Sequence, residues 1–137
     1  MKRITLVLWL ALLTIGSAQW IGAAQQPEAP RFTGTSVTMD GKDLSAARRH
    51  FDAGARSFWH SHDNGQLLLV EKGRMRTQKR GQSMKELGPG ESDYAGPTVQ
   101  HWHGAAPSQD LVQINVGFSG ATKWLEEVTA DQYAGKK

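Results

Sequence analysis

Residues 54–73 read GARSFWHSHDNGQLLLVEKG, and this stretch predicts both the fold and the candidate site. Side chains alternate faces along an extended strand, so His60 and His62 can reach one metal ion together. The following Asp63-Asn64-Gly65 is a strong turn signal. The turn predicts that Gln66 returns on the neighbouring strand with its carboxamide on the same face as the two imidazoles.

A second histidine pair lies about forty residues further along, as His101-Trp102-His103. Four of the five histidines therefore stand in two H-x-H pairs. A lone histidine is usually polar surface or satisfied core, but paired histidines favour a metal site. The predicted ligands of one ion are His60, His62, Gln66 and His101.

The spacing resembles the first motif of the cupin family, which is a Gly, an H-x-H pair, a Glu and a second Gly. The matching positions are Gly54, His60, His62, Gln66 and Gly73, with Gln66 where the family usually has Glu. The second cupin motif usually has a Pro-Gly turn before a ligand histidine. Here Pro97-Thr98 precedes His101, with Thr98 where Gly is usual.

A narrower resemblance covers residues 31–134 and is to small bacterial cupins that include manganese-dependent hydroxynitrile lyases. Its segments include Gly54-Ala55-Arg56 and the stretch from His101 to Pro107. In that subgroup Gln replaces the Glu ligand. The resemblance implies a double-stranded β-helix (jelly-roll barrel), a manganese ion and a lyase reaction.

The N-terminus predicts export. Lys2 and Arg3 precede an apolar run over residues 4–15 that is short for a membrane helix. Small residues then favour cleavage after Ala24, giving a signal peptide over 1–24, a polar linker over 25–30 and a cupin domain over 31–137. The alternative is a retained membrane anchor. The expected destination is a bacterial periplasm or the exterior.

Charge and cysteine content exclude several classes of function. Lys2 and Arg3 account for two of the 16 basic residues, which leaves 14 against 13 acidic ones in the exported part. This near-balance gives no support for nucleic-acid binding. With no cysteine, the protein has no disulfide, no lipid-anchored cysteine and no thiolate ligand, so any metal site is of the His/O type.

Short apolar segments punctuated by glycine predict an all-β sandwich or barrel. The predicted strands are residues 35–39, 47–52, 57–62, 66–71, 74–78, 84–87, 93–95, 101–105, 111–118 and 124–128. Thr129 is expected to cap a short helical turn that ends at Tyr133.

Two predicted strands are apolar on the face turned away from the site. Leu67 and Leu69 alternate with Gln66, and an aliphatic series on residues 112–118 alternates with Gln113. Large exposed apolar faces usually mark interfaces, so we expect a homodimer or higher oligomer. The alternative is that a loop or the C-terminal segment covers them.

The predicted ligands carry no negative charge, so a divalent ion would keep its full charge and be a stronger Lewis acid. Nitrogen and oxygen ligands suit Mn, Fe, Ni, Co or Zn, and manganese is named on the resemblance alone. The missing carboxylate argues against iron-dependent oxygen chemistry. His103 is expected to be the general base, with a fifth ligand or a structural partner as alternatives.

Arg49 and Gln113 are the expected substrate-binding residues. If Phe51 faces the core, strand parity turns Arg49 inward, where it fits an anionic substrate. The opposite parity buries His50 and leaves Arg49 on the surface. The similar lyases carry a His at the position of Gln113.

Three functions are consistent with these patterns. The first is a metal-dependent lyase that cleaves or forms a cyanohydrin-like carbonyl adduct. The second is another metal-cupin enzyme: an oxygenase, isomerase, decarboxylase or lactone-processing enzyme. The third is a non-catalytic periplasmic protein that binds a metal or a small acid.

Overall fold

The structure is a computed structural model that describes residues 33–136. The predicted signal peptide and the linker lie outside the described residues. The chain divides into a unit that ends at Thr38 and a unit from Met39 to Lys137. Of the first unit, the described residues 33–38 form no helix or strand.

The second unit is a two-sheet β-structure with one short helix among its described residues. Its elements are β1 (Leu44–Phe51), β2 (His60–His62), β3 (Gln66–Gly73), β4 (Met75–Lys79), β5 (Lys85–Leu87), β6 (Ser92–Ala95), β7 (His101–Ala105), β8 (Leu111–Phe118), β9 (Thr122–Trp124) and α1 (Ala130–Tyr133). One sheet has the order β1-β8-β3-β6 and the other β5-β4-β7-β2-β9, with antiparallel pairing throughout. The predicted all-β class with a short C-terminal helix is confirmed.

One predicted strand is wrong: residues 35–39 form no strand. Their β-branched residues have strand propensity, but a strand also needs a partner and a buried face. Val37 and Met39 are both exposed. Several boundaries also differ from the predicted ones, most of all at β1, which begins at Leu44, at β2, which begins only at His60, and at β9, which covers Thr122–Trp124 instead of residues 124–128.

The first core cluster lies on the inner faces of the strands. It consists of Leu68, Val70, Met75, Ala105 and Leu111, with Phe51 and Leu87 packed against it. The β3 burial pattern alternates as predicted, since Gln66, Leu68 and Val70 are buried and Leu67 and Leu69 only partly so.

The second core cluster forms where the C-terminal segment packs on β7. Trp102, which alternates with the two histidines of β7, contacts Trp59 and Val128, and Tyr133 packs against the group. Thr129 caps α1 as predicted, in a capping box with Gln132. The C-terminal segment therefore covers this part of the second sheet.

The outer face of the first sheet has no comparable cover among the described residues. Leu67, Leu69 and Ile114 are partly exposed, and Tyr94 and Leu44 are exposed by 48% and 51%. The helix found within residues 33–136 is too short and polar to cross a membrane.

Candidate metal centre

Strand register brings three imidazoles together. His60 of β2 is the direct partner of His101 on β7, and their ring centroids are 4.3 Å apart. His103 follows two residues later on the same face, with its ring 5.3 Å from that of His60. One ring nitrogen from each of His60, His101 and His103 lies within 4.8 Å of the others.

His62 and Gln66 adjoin this triad. The His62 ring centroid is 5.1 Å from that of His60 and 5.6 Å from that of His101. Gln66 places Oε1 at 3.1 Å from Nε2 of His101. The structure thus brings all four predicted ligands together, with His103 beside them.

Backbone carbonyls orient two of the rings. Nδ1 of His60 lies 2.9 Å from the carbonyl oxygen of Phe58, and Nδ1 of His101 lies 3.2 Å from that of Val99. A carbonyl oxygen accepts only, so each Nδ1 is the protonated nitrogen. Each Nε2 then has a lone pair available, which is the usual arrangement of metal-binding imidazoles.

Two arrangements of polar atoms indicate that the residues fit a cation. With its proton on Nδ1, neutral His101 sets its Nε2 lone pair against Oε1 of Gln66, so two acceptors face each other. In His62, Nδ1 contacts Oγ1 of Thr122 at 3.0 Å, while the buried Nε2 has no partner among the described residues. A positive ion nearby would give a partner to Nε2 of His101, to Oε1 of Gln66 and to Nε2 of His62.

The imidazoles are kept neutral. Burial lowers the pKa of His101 to about 4, helped by the neighbouring His60. Burial likewise lowers the pKa of His60 and of His62, and it holds the pKa of His103 well below its usual range. Neutral imidazole is the form that binds a metal.

Gln113 lies behind His103 rather than in the cavity. Its side chain is fully buried, with Nε2 3.0 Å from Nδ1 of His103 and Nε2 also donating to Oδ1 of Asn115. Its Oε1 is buried without a partner among the described residues. Gln113 therefore contacts the predicted base directly.

A cavity of about 400 Å³ opens onto the histidines. This volume suits a small-molecule ligand. The lining residues are Arg49, Phe51, Arg56, Ser57, His60, His62, Gln66, His103, Asn115, Thr122 and Trp124. Of the predicted site residues, Arg49 shares the cavity with the histidines, whereas His101 and Gln113 lie behind its wall.

Sequence reasoning missed Arg56, Ser57, Thr122 and Trp124. Arg56 and Ser57 reach the cavity because Gly104 lets residues 55–56 approach β7: a Cβ on Gly104 would lie 2.4 Å from the carbonyl oxygen of Ala55. Thr122 is the register partner of His62 on β9. Only the pairing of distant segments reveals these neighbours, and the local sequence has no signal for it.

Comparison with known proteins identifies relatives for most of the chain. A model of the cupin domain family matches residues 47–117, about half of the chain. An (R)-mandelonitrile lyase from Granulicella tundricola is 35% identical over 112 residues, covering 80% of this chain and 76% of that protein.

Solved structures support the same fold. A cupin-like protein from Thermotoga maritima matches with a TM-score of 0.66 and 36% identity, over 69% of this chain and 74% of its own. A Bacillus subtilis oxalate decarboxylase matches with a TM-score of 0.54 and 18% identity, over 61% of this chain and 24% of its own. The latter likeness concerns the fold alone.

Proposed function

Because this chain belongs to the cupin domain family, we propose that it is a metal-dependent enzyme acting on a small molecule. The specific proposal is a hydroxynitrile-lyase type reaction that cleaves or forms a cyanohydrin-like adduct. The observation that carries the proposal is the cluster of four neutral imidazoles, His60, His62, His101 and His103, beside a cavity of about 400 Å³. The relative named as an (R)-mandelonitrile lyase supports the reaction type.

The proposed ligands are His60, His62, Gln66 and His101, and the proposed ion is manganese, with Fe, Ni, Co or Zn as alternatives. When bound, a divalent ion at this centre would act as a Lewis acid toward a hydroxyl or carbonyl oxygen. The chain contributes the orientation of the rings, through the carbonyls of Phe58 and Val99, and their neutrality, through burial.

His103 is the proposed proton-transfer residue. A base needs a free lone pair on Nε2, and neutral His103 has one when its proton is on Nδ1. Turning over the amides of Gln113 and Asn115 gives that state, since Oε1 of Gln113 would then accept from Nδ1 of His103. The exchange gives Oε1 of Gln113 a partner and moves Nε2 into the buried position that has none among the described residues, so the number of unpaired buried atoms stays the same.

Release of benzaldehyde and cyanide from mandelonitrile tests the reaction. We expect turnover by the manganese-loaded protein, above the spontaneous rate, and none by the metal-free protein. His101→Ala should be inactive, whereas His50→Ala, which changes an exposed histidine of β1, should keep full activity. A metal-loaded protein that binds its ion and leaves mandelonitrile intact would contradict the lyase proposal.

A second candidate is another metal-cupin enzyme acting on a small acid, either an oxygenase, an isomerase or a decarboxylase. The cationic Arg49 on the cavity wall favours it. Oxygen uptake by the iron-loaded protein in the presence of a small carboxylic acid would favour the oxygenase. Ligand-induced stabilisation without any turnover would favour a non-catalytic binding protein.

We also propose that the protein is exported and forms a homodimer through the outer face of the first sheet. Leu69 and Ile114 are register partners on that face and are only partly buried. Ile114→Glu should convert a dimer to a monomer in analytical ultracentrifugation. Thr122→Glu, on the other sheet, should leave the mass unchanged, and a monomeric wild-type protein would contradict the proposal.

A further inference from the structure

Arg48 and Arg49 are adjacent on β1 but have different surroundings. Arg48 makes a two-pronged contact with Glu71, with Nε 2.6 Å from Oε2 and Nη2 3.1 Å from Oε1. Arg49 is the register partner of the buried Gln113 and lines the cavity with the histidines. Among the described residues, no carboxylate lies within ion-pair distance of Arg49.

The cavity wall has an excess of positive charge. Its lining includes two guanidinium groups, Arg49 and Arg56, and no Asp or Glu. The carboxamide of Gln66 adds no negative charge, and the histidines are neutral. A cavity lined by one sign of charge concentrates ligands of the opposite sign.

Of the two arginines, Arg56 is held by the protein itself. Its Nη2 donates to the carbonyl oxygen of Val128 at 3.2 Å, and its guanidinium lies 4.4 Å from the ring centroid of Tyr133. Arg49 is exposed and makes no such contact among the described residues, so its fork of N–H donors is free for a ligand.

We propose that the substrate carries a carboxylate, which Arg49 binds while the reacting hydroxyl or carbonyl group lies against the histidine cluster. This inference rests on the proposed function, since it names the substrate class of that same site. A guanidinium matches a carboxylate in a two-pronged geometry, so it gives orientation as well as affinity. The substrate class is therefore a small hydroxy or carbonyl compound with an anionic end.

The test compares the binding of benzaldehyde and 4-carboxybenzaldehyde, which share a ring and an aldehyde and differ in one carboxylate. We expect the manganese-loaded wild type to bind the anionic compound about tenfold more tightly by calorimetry, the scale of one charged hydrogen bond at an exposed site. Arg49→Gln should lose this preference, and Arg49→Lys should keep part of it. Arg48→Gln is the matched control and should retain the wild-type ratio.

Equal affinities in the wild type, or a preference that survives in Arg49→Gln, would overturn the carboxylate proposal. Unchanged metal content and melting temperature in Arg49→Gln establish that it is folded. Turnover of neutral mandelonitrile is measured separately. Turnover of mandelonitrile without a preference for the carboxylate compound would overturn the carboxylate proposal alone. A preference for the carboxylate compound without any turnover of mandelonitrile would support the small-acid candidate and overturn the lyase proposal.

Discussion

The two ends of the barrel interior are built from the same strands and differ completely in chemistry. On β3, Gln66 faces the imidazoles, whereas Leu68 and Val70 belong to the apolar core. On β7, the two histidines precede Ala105, which is also in that core. The apolar end contributes hydrophobic stabilisation to the fold, and the polar end contains buried groups whose hydrogen bonds the described residues leave incomplete.

The comparison implies that stability and metal binding can be separated by mutation. Leu68→Ala removes a side chain that is 1% exposed in the apolar end. We expect a loss of about 2–5 kcal/mol in the free energy of unfolding, because the lost burial leaves a cavity. Denaturant unfolding measures it. The folded variant should still bind one metal per chain, and loss of the metal from folded protein would show that the two ends are coupled.

Metal removal should act at the polar end and lower the stability of the whole folded protein. A ligand at 100 times its dissociation constant stabilises the folded state by about 2.7 kcal/mol, so adding a chelator should lower the melting temperature of the loaded wild type. His101→Ala should melt at the same temperature with and without the chelator, and His50→Ala should respond like the wild type. A wild type that is indifferent to the chelator would count against a metal centre.

Acid should destabilise the metal-free protein through the same histidines. Their folded pKa values lie below the usual 6.5, and that of His101 is about 4. The unfolded chain therefore binds more protons than the folded one as the pH falls below 6.5, and stability is lost from there toward about pH 4.

Urea unfolding across that window, without metal, measures this effect. His101→Ala should have a shallower dependence on pH than the wild type, because one of the low-pKa groups is gone. A wild type whose stability is constant from pH 6.5 downward through this window would contradict the neutral, buried state of the imidazoles.

The smallest expected effect is at Thr122, whose Oγ1 contacts Nδ1 of His62. Thr122→Val removes this hydrogen bond and leaves a side chain of similar shape. Partners of ligand histidines typically change metal affinity by about 10- to 100-fold, and the exposure of Thr122 places it at the lower end. Competition with a metal-binding dye measures the change, and an unaltered affinity would argue that His62 is not a ligand.

The histidine positions could be predicted from sequence because they depend on local rules. Alternation along a strand places His60 with His62 and His101 with His103, and the turn at residues 63–65 connects β2 to β3. The capped C-terminal helix follows from Thr129 in the same way. Each of these signals lies within a few residues of the feature that it predicts.

The orientation of Arg49 could not be predicted, because β1 reads LSAARRHF and has no apolar alternation. Only its pairing with β8, which sets Arg49 opposite Gln113, places its side chain toward the cavity. The wrong prediction of a strand at residues 35–39 arose for a different reason. These residues have good local strand propensity, but the apolar side chains of Val37 and Met39 are exposed and no strand among the described residues pairs with them. The roles of Arg49, Gln113 and His103, like those of the four proposed metal ligands, stay predictions.

Elemental analysis of the purified wild-type protein, beside a Gln66→Ala, His101→Ala double variant, is the decisive test of the metal centre. We predict one transition-metal ion per chain in the wild type and none in the folded double variant. The identity of that ion decides which form is used in the mandelonitrile and oxygen-uptake assays. A wild-type protein without bound metal, which also takes up none when manganese is supplied, would contradict the metal centre.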